Sequence, residues 1–86
     1  MDLQAIFTTR FKQARKAKKL TQEQLGIAIG LDEFVASTRI NRYEKGIHLP
    51  DLQTLARIAE VLNVPPAFFF AEEALAMAIL IFEKNT

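Results

Sequence analysis

Cysteine and tryptophan are absent from this 86-residue sequence, and histidine and tyrosine occur once each. Without cysteine there is no disulfide framework and no thiolate metal site. His48 stands alone, so neither an imidazole-based catalytic pair nor a zinc ligand set is expected. Asp32 and Glu33 are adjacent carboxylates, but no further carboxylate or imidazole is spaced to join them around a cation. No glycine-rich nucleotide loop is present. Long apolar runs are also missing: Ala74–Phe82 is the longest and is too short to span a bilayer. Met1–Phe11 lacks the basic start and apolar stretch of a signal peptide. These gaps exclude the usual enzyme and metal signatures. They leave a cytoplasmic binding protein as the expectation, with no catalytic residues, cofactor, metal, membrane or small-molecule ligand.

Half of the residues are hydrophobic, enough for one small domain with its own core. The net charge of +1 hides an asymmetry. Residues 1–50 carry nine Lys and Arg against five Asp and Glu, or 9 − 5 = +4; residues 51–86 carry two against five, or 2 − 5 = −3. A basic N-terminal half suits contact with a polyanion, although a solvated helix face has the same composition.

The apolar spacing is helical throughout. Leu3, Phe7, Phe11 and Ala14, with Ile6 beside them, predict a first helix from Leu3 to about Lys18, with Arg10, Lys12, Lys16 and Lys19 off the stripe. Thr21 followed by Gln24 has capping-box spacing and opens a second helix, Gln22 to about Ile29. Its Leu25, Ala28 and Ile29 point inward, and Gly30 stops it in a left-handed conformation. A third helix ends at Gly46. Ile40 and Tyr43 point one way along it; Ser37, Thr38, Asn41, Arg42 and Lys45 are free to point another. Two short helices in succession, the second displaying amide, hydroxyl and guanidinium groups, are how a helix-turn-helix presents a helix to the major groove.

Where the third helix begins has two solutions. Asp32 can cap a helix starting at Glu33, or Ser37 can cap one starting there while Leu31–Ala36 forms an extended turn with Phe34 and Val35 as packing pegs. The second is preferred, giving a helix of about Ser37–Lys45. Further on, Asp51 after Pro50 is an N-cap. Leu52, Leu55, Ala56, Ala59 and Leu62 form a strong stripe, Asn63 is a left-handed stop, and Pro66 fits a first helical position. Phe68, Phe69 and Phe70 cannot all point inward from one turn.

Taken in order, Arg15, then Thr21, Gln22, Glu23, Gln24 and Leu25, then Gly30, then Ile40, Arg42, Tyr43, Glu44, Lys45 and Gly46, then Pro50, Asp51, Leu52, Leu55, Ile58, Ala59, Leu62, Asn63 and Val64 resemble the phage Cro/repressor-type (XRE-like) helix-turn-helix family. The resemblance covers roughly residues 10–70. It departs from the family pattern at Leu31–Ala36, which adds several residues between the glycine and Ile40.

The resemblance implies an all-α, five- to six-helix, lambda-repressor-like domain that binds double-stranded DNA. Ser37, Thr38, Arg39, Asn41 and Arg42 are the expected base readers. Arg42 is able to grip guanine with two parallel hydrogen bonds, worth ~1–3 kcal/mol of discrimination. Thr21, Gln22, Lys45 and His48 are the expected phosphate contacts. Arg15 is expected to pair with Glu44, tying the first helix to the third; as an exposed pair it would add at most ~1 kcal/mol.

The remainder, residues 71–86, predicts a terminal helix from about Glu72 to Lys84 that is apolar nearly all round. So small a protein has little core in which to hide such a helix. It either folds over the domain or forms an interface. The interface is preferred, with Phe69, Leu75, Ile79 and Phe82 as its residues. Residues 1–70 are then the DNA-binding domain and residues 71–86 its dimerisation segment. The expected activity is that of a sequence-specific regulator, a repressor acting by occupancy as a homodimer. Two alternatives stay open: an antitoxin-like subunit whose apolar C-terminal segment binds a partner protein, and a fragment of a longer regulator. Against the fragment stands the charged and polar end, Glu83–Thr86.

Overall fold

Helix starts in this chain are set by side chains that accept from free backbone N–H groups. In the computed structural model, which describes residues 2–84 and side chains through Phe82, four of the five α-helices begin at such a cap. They are α1 (Leu3–Ala17), α2 (Gln22–Ala28), α3 (Glu33–Glu44), α4 (Leu52–Leu62) and α5 (Glu73–Lys84), with a 3-10 turn at Pro66–Phe70 before the last. No strand occurs among the described residues. Residues 85 and 86 of the expected C-terminal segment lie outside them.

The capping box of α2 is formed on both sides: Gln24 N–H donates to Thr21 Oγ1 at 3.0 Å, and Thr21 N–H donates to Gln24 Oε1 at 2.9 Å. Gly30 follows with φ +98°, the left-handed stop that the sequence predicts. Asp51 caps α4 by accepting from Thr54 N–H at 2.7 Å, and Asn63 ends it at φ 56°.

The core is one cluster. Phe7, Phe11 and Ala14 of α1 meet Leu25 and Ile29 of α2, Ile40 and Tyr43 of α3, and Leu55, Ile58, Ala59 and Leu62 of α4. Phe68 and Phe69 of the 3-10 turn close it, Phe69 lying 5.9 Å from the Phe7 ring and 6.2 Å from the Phe11 ring. Completely burying a phenylalanine contributes ~1.5–3 kcal/mol. The 3-10 segment is therefore the plug that joins the helix-turn-helix half to α5.

Several expectations are corrected here. Helix α3 begins at Glu33, not Ser37. Asp32 Oδ1 accepts from Phe34 N–H at 2.8 Å, and the Asp32 carbonyl accepts from Val35 and Ala36. Phe34 and Val35 are exposed, not pegs. Arg10 is buried, because it falls three residues after Phe7 and thus on the core stripe. Leu3 and Leu52, expected in the core, are exposed. Each sits in the first turn of its helix, where side chains lean toward the N-terminus and overhang the end of the core. Ala28 and Ala56 are exposed too. Phe69 is completely buried and offers nothing to a partner. Phe70 is the outward member of its trio and stacks on Phe7 at 5.8 Å.

Helix α5 rests on the domain through Ala76, which is fully buried, and through Ile79 and Leu80, which pack against the core. Leu75, Met77, Ile81 and Phe82 stay exposed.

Candidate nucleic-acid interface

The crossing of α2 and α3 makes the candidate site. A Cβ placed on Gly26 would lie 2.6 Å from Ala36 Cβ and 2.8 Å from Ala36 Cα. Hydrogen on one side and methyl on the other let the two backbones touch. Ala36 then starts the inward stripe Ala36–Ile40–Tyr43, all buried, at steps of four and three. That contact explains why Asp32 caps in preference to Ser37: a helix starting at Ser37 would leave Ala36 outside it.

With Ala36, Ile40 and Tyr43 facing in, the opposite face of α3 is fixed by helical geometry. It carries Phe34, Thr38, Arg42 and Lys45, all exposed, with Asn41 half-buried at its edge. Ser37 and Arg39 flank the row and are exposed. The five expected base readers thus lie on one helix and around one face. Ser37 and Thr38, however, stand at its fifth and sixth positions instead of its tip. The tip consists of Glu33, Phe34 and Val35.

Arg39 and Arg42 open onto a polar groove of ≈ 360 Å³ shared with Tyr43, His48, Leu49, Asp51 and Thr54. His48 is exposed, and its backbone N–H donates to the Arg42 carbonyl at 3.4 Å. Two cations and an imidazole around one groove suit an anion. Asp51 adds a carboxylate whose pKa is lowered, first by the backbone hydrogen bond from Thr54, then by the Thr54 side chain and, less, by the Arg57 charge.

The expected Arg15–Glu44 pair is formed and two-pronged. Arg15 Nε donates to Glu44 Oε2, Nη2 donates to Oε1 at 3.2 Å, and Nη1 donates to the Leu20 carbonyl at 2.8 Å. The side chains are only 12% and 5% exposed, so it is a buried pair and not the solvated one expected. Gln22 Nε2 also donates to Glu44 Oε1, at 3.1 Å. The side-chain amide of Gln22 therefore braces the end of α3; its backbone N–H, in the first turn of α2, has no partner within the helix. Thr21 and Lys45 are exposed.

Two structural roles are missing from the sequence-based expectations, that of Gly26 in this crossing and that of Arg10 in holding α5 to α1. Gly26 had a signal, a glycine inside an apolar-periodic helix. Arg10 had one in its spacing from Phe7. Arg10 Nε donates to the Ala71 carbonyl at 2.8 Å, Nη1 donates to Gln13 Oε1 at 2.9 Å, and Nη2 lies 3.0 Å from Glu73 Oε2. It anchors the start of α5. Among the described residues no helix is long and apolar enough to cross a membrane.

Comparison with known proteins points the same way. A helix-turn-helix family model, HTH_3, matches residues 11–69, more than half of the chain. The solved structure of the transcriptional regulator BswR superimposes with a TM-score of 0.88 at 42% identity, covering 92% of this chain and 79% of that one. An uncharacterised HTH-type transcriptional regulator of Sinorhizobium medicae is 33% identical over 64 residues, 74% of this chain and 43% of its own length. The HTH-type regulator YqaE of Bacillus subtilis is 34% identical over 59 residues, 69% of this chain and 47% of its own. The chain thus spans less than half the length of these curated relatives.

Proposed function

The chain belongs to the Cro/C1-type helix-turn-helix family of DNA-binding transcriptional regulators, a non-enzymatic class, and on that premise we propose that it is a sequence-specific repressor acting as a homodimer in the cytoplasm. Helix α3 enters the major groove. Thr38, Asn41 and Arg42 read bases from the face opposite the core, with Ser37 and Arg39 beside them. Thr21, Gln22, Lys45 and His48 contact phosphates and set the register. Occupancy of the operator is the mechanism. The observation that carries this reading is the close crossing at Gly26 and Ala36, which holds α3 with Thr38, Arg42 and Lys45 turned outward.

Residues 71–86 supply the dimer contact in this reading. Leu75 and Phe82, on the exposed side of α5, are its centre; Ile79 contributes only an edge, because it packs against its own core. A C2 pair built there places two copies of α3 about one DNA turn apart. The same apolar face supports the second reading, an antitoxin-like subunit that offers α5 to a different protein.

Site selection from a random duplex library with the purified chain, near physiological salt, tests the proposal. A palindrome with half-site centres about 10 base pairs apart is expected, and Phe82→Glu is expected to give monomers that enrich single half-sites. Binding without enrichment would leave only phosphate attraction and overturn sequence specificity. A Phe82→Glu protein that still dimerises would move the interface elsewhere.

A further inference from the structure

The leading end of α3 is apolar where a phosphate-seeking surface would be cationic. Phe34 is 87% exposed, more than any other large hydrophobic residue among those described, and Val35 beside it is also exposed. Burial within the domain does not account for Phe34. It nonetheless has a fixed place: Phe34, Thr38 and Arg42 follow one another at steps of four, so Phe34 heads the row assigned to base reading. Its backbone is held by the Asp32 cap, which accepts from Phe34 N–H at 2.8 Å.

The charges around it decide what that end meets. Asp32 and Glu33 would be repelled by the sugar-phosphate walls, whereas Arg42 and Lys45, further along α3, would be drawn to them. The tip is therefore suited to the floor of the groove, between the strands. In helix-turn-helix docking the N-terminal residues of the recognition helix are the ones that touch base edges. The apolar group exposed on a base edge in the major groove is the 5-methyl of thymine, and phenylalanine is among the side chains that pack on it.

We propose that Phe34 is a specificity-determining residue that recognises one thymine in each half-site of the operator through its 5-methyl group. This rests on the reading of α3 as the recognition helix and adds a contact that no polar side chain supplies. It makes the operator preference partly hydrophobic: at that position thymine is favoured over cytosine without a hydrogen bond being made.

Deoxyuridine provides the test, since it pairs as thymine does and lacks only the methyl. Each thymine of the selected operator is replaced singly by deoxyuridine, and Kd is measured for the 86-residue chain, for Phe34→Ala and for Phe34→Leu. At one thymine per half-site the replacement is expected to raise Kd of the unaltered chain about fourfold, which is ~0.8 kcal/mol for one methyl at ~1.4 kcal/mol per tenfold. In Phe34→Ala the same replacement is expected to have no effect. Phe34→Leu is expected to keep a sensitivity close to that of the unaltered chain, because an apolar contact survives. An unchanged melting temperature, expected for so exposed a residue, separates these effects from folding. If no replacement moves Kd, or if Phe34→Ala responds as strongly as the unaltered chain, the inference is overturned while sequence-specific binding stands. If selection enriches no motif, the regulator reading falls and this inference with it.

Discussion

Helix α1 holds two halves of the molecule by two arginines five residues apart, and the two are not equivalent. Arg15 faces the helix-turn-helix half. Its partner Glu44 is 5% exposed and also takes a hydrogen bond from Gln22. Arg10 faces the C-terminal half. Its carboxylate partner Glu73 is 73% exposed, and its firmest contact is the Ala71 carbonyl. Glu44 lies largely out of reach of water, so its loss leaves Arg15 with only the Leu20 carbonyl, whereas water takes the place of the exposed Glu73 carboxylate. Helix α3 is thus tied at its C-terminal end by an ionic lock, and α5 by a backbone hydrogen bond with an ion pair added.

The sharpest way to break that contrast is to delete the two carboxylates in turn. Glu44→Ala is expected to cost ~3–5 kcal/mol, since Arg15 is left buried without its partner; urea unfolding measures it, and DNA binding is expected to weaken with it. Next in size is the α2–α3 crossing. Gly26→Ala places a methyl within 2.6–2.9 Å of Ala36 atoms, backbone among them, and is expected to cost ~1–3 kcal/mol through overpacking. A loss of operator affinity larger than the stability loss alone explains would sharpen the view that the crossing aims α3. Glu73→Ala is expected to cost less than ~1 kcal/mol. If its unfolding midpoint shifts as far as that of Glu44→Ala, the two tethers are equivalent and the comparison is wrong.

The smallest effect lies outside both tethers, at the cap of α4. The folded-state pKa of Asp51 is depressed, chiefly by the Thr54 N–H bond. The unfolded chain therefore binds the proton more readily, and the contribution of Asp51 is present above its unfolded pKa and lost as pH falls through the folded one. Melting curves of the unaltered chain and of Asp51→Asn are expected to differ slightly at neutral pH and to converge on acidification. A gap that widens in acid would reverse the sign.

The same division between halves appears in what was legible beforehand. At the ends of α2 and α4 the local signals could be read: the Thr21–Gln24 box, the stops at Gly30 and Asn63, and the Asp51 cap, whereas Ala28, Leu52 and Ala56 were read as inward and are exposed. The Arg15–Glu44 pair came through resemblance to the family, although its burial did not. At α3 the sequence offered two competent caps, Asp32 and Ser37, and spacing toward Ile40 favoured the one the fold does not use. In the C-terminal half, Phe69, expected at an interface, is buried, and Phe70 is the outward member of the trio. Such choices turn on partners distant in the chain: Gly26 for the first, the Phe7 and Phe11 rings for the second.

By itself the sequence determined the helices, most of their ends, the family pattern and the separation of a basic half from an acidic one. Caps, glycine stops and apolar periods act within a turn or two, so neighbouring residues suffice to specify them. Only the tertiary structure decided that α3 begins at Glu33, that Arg10 is buried and that Phe34 leads the outward face of α3. Each depends on which surfaces meet: close packing admits Ala36 against Gly26 of the preceding helix, and Arg10 against the Ala71 carbonyl from the other end of the chain.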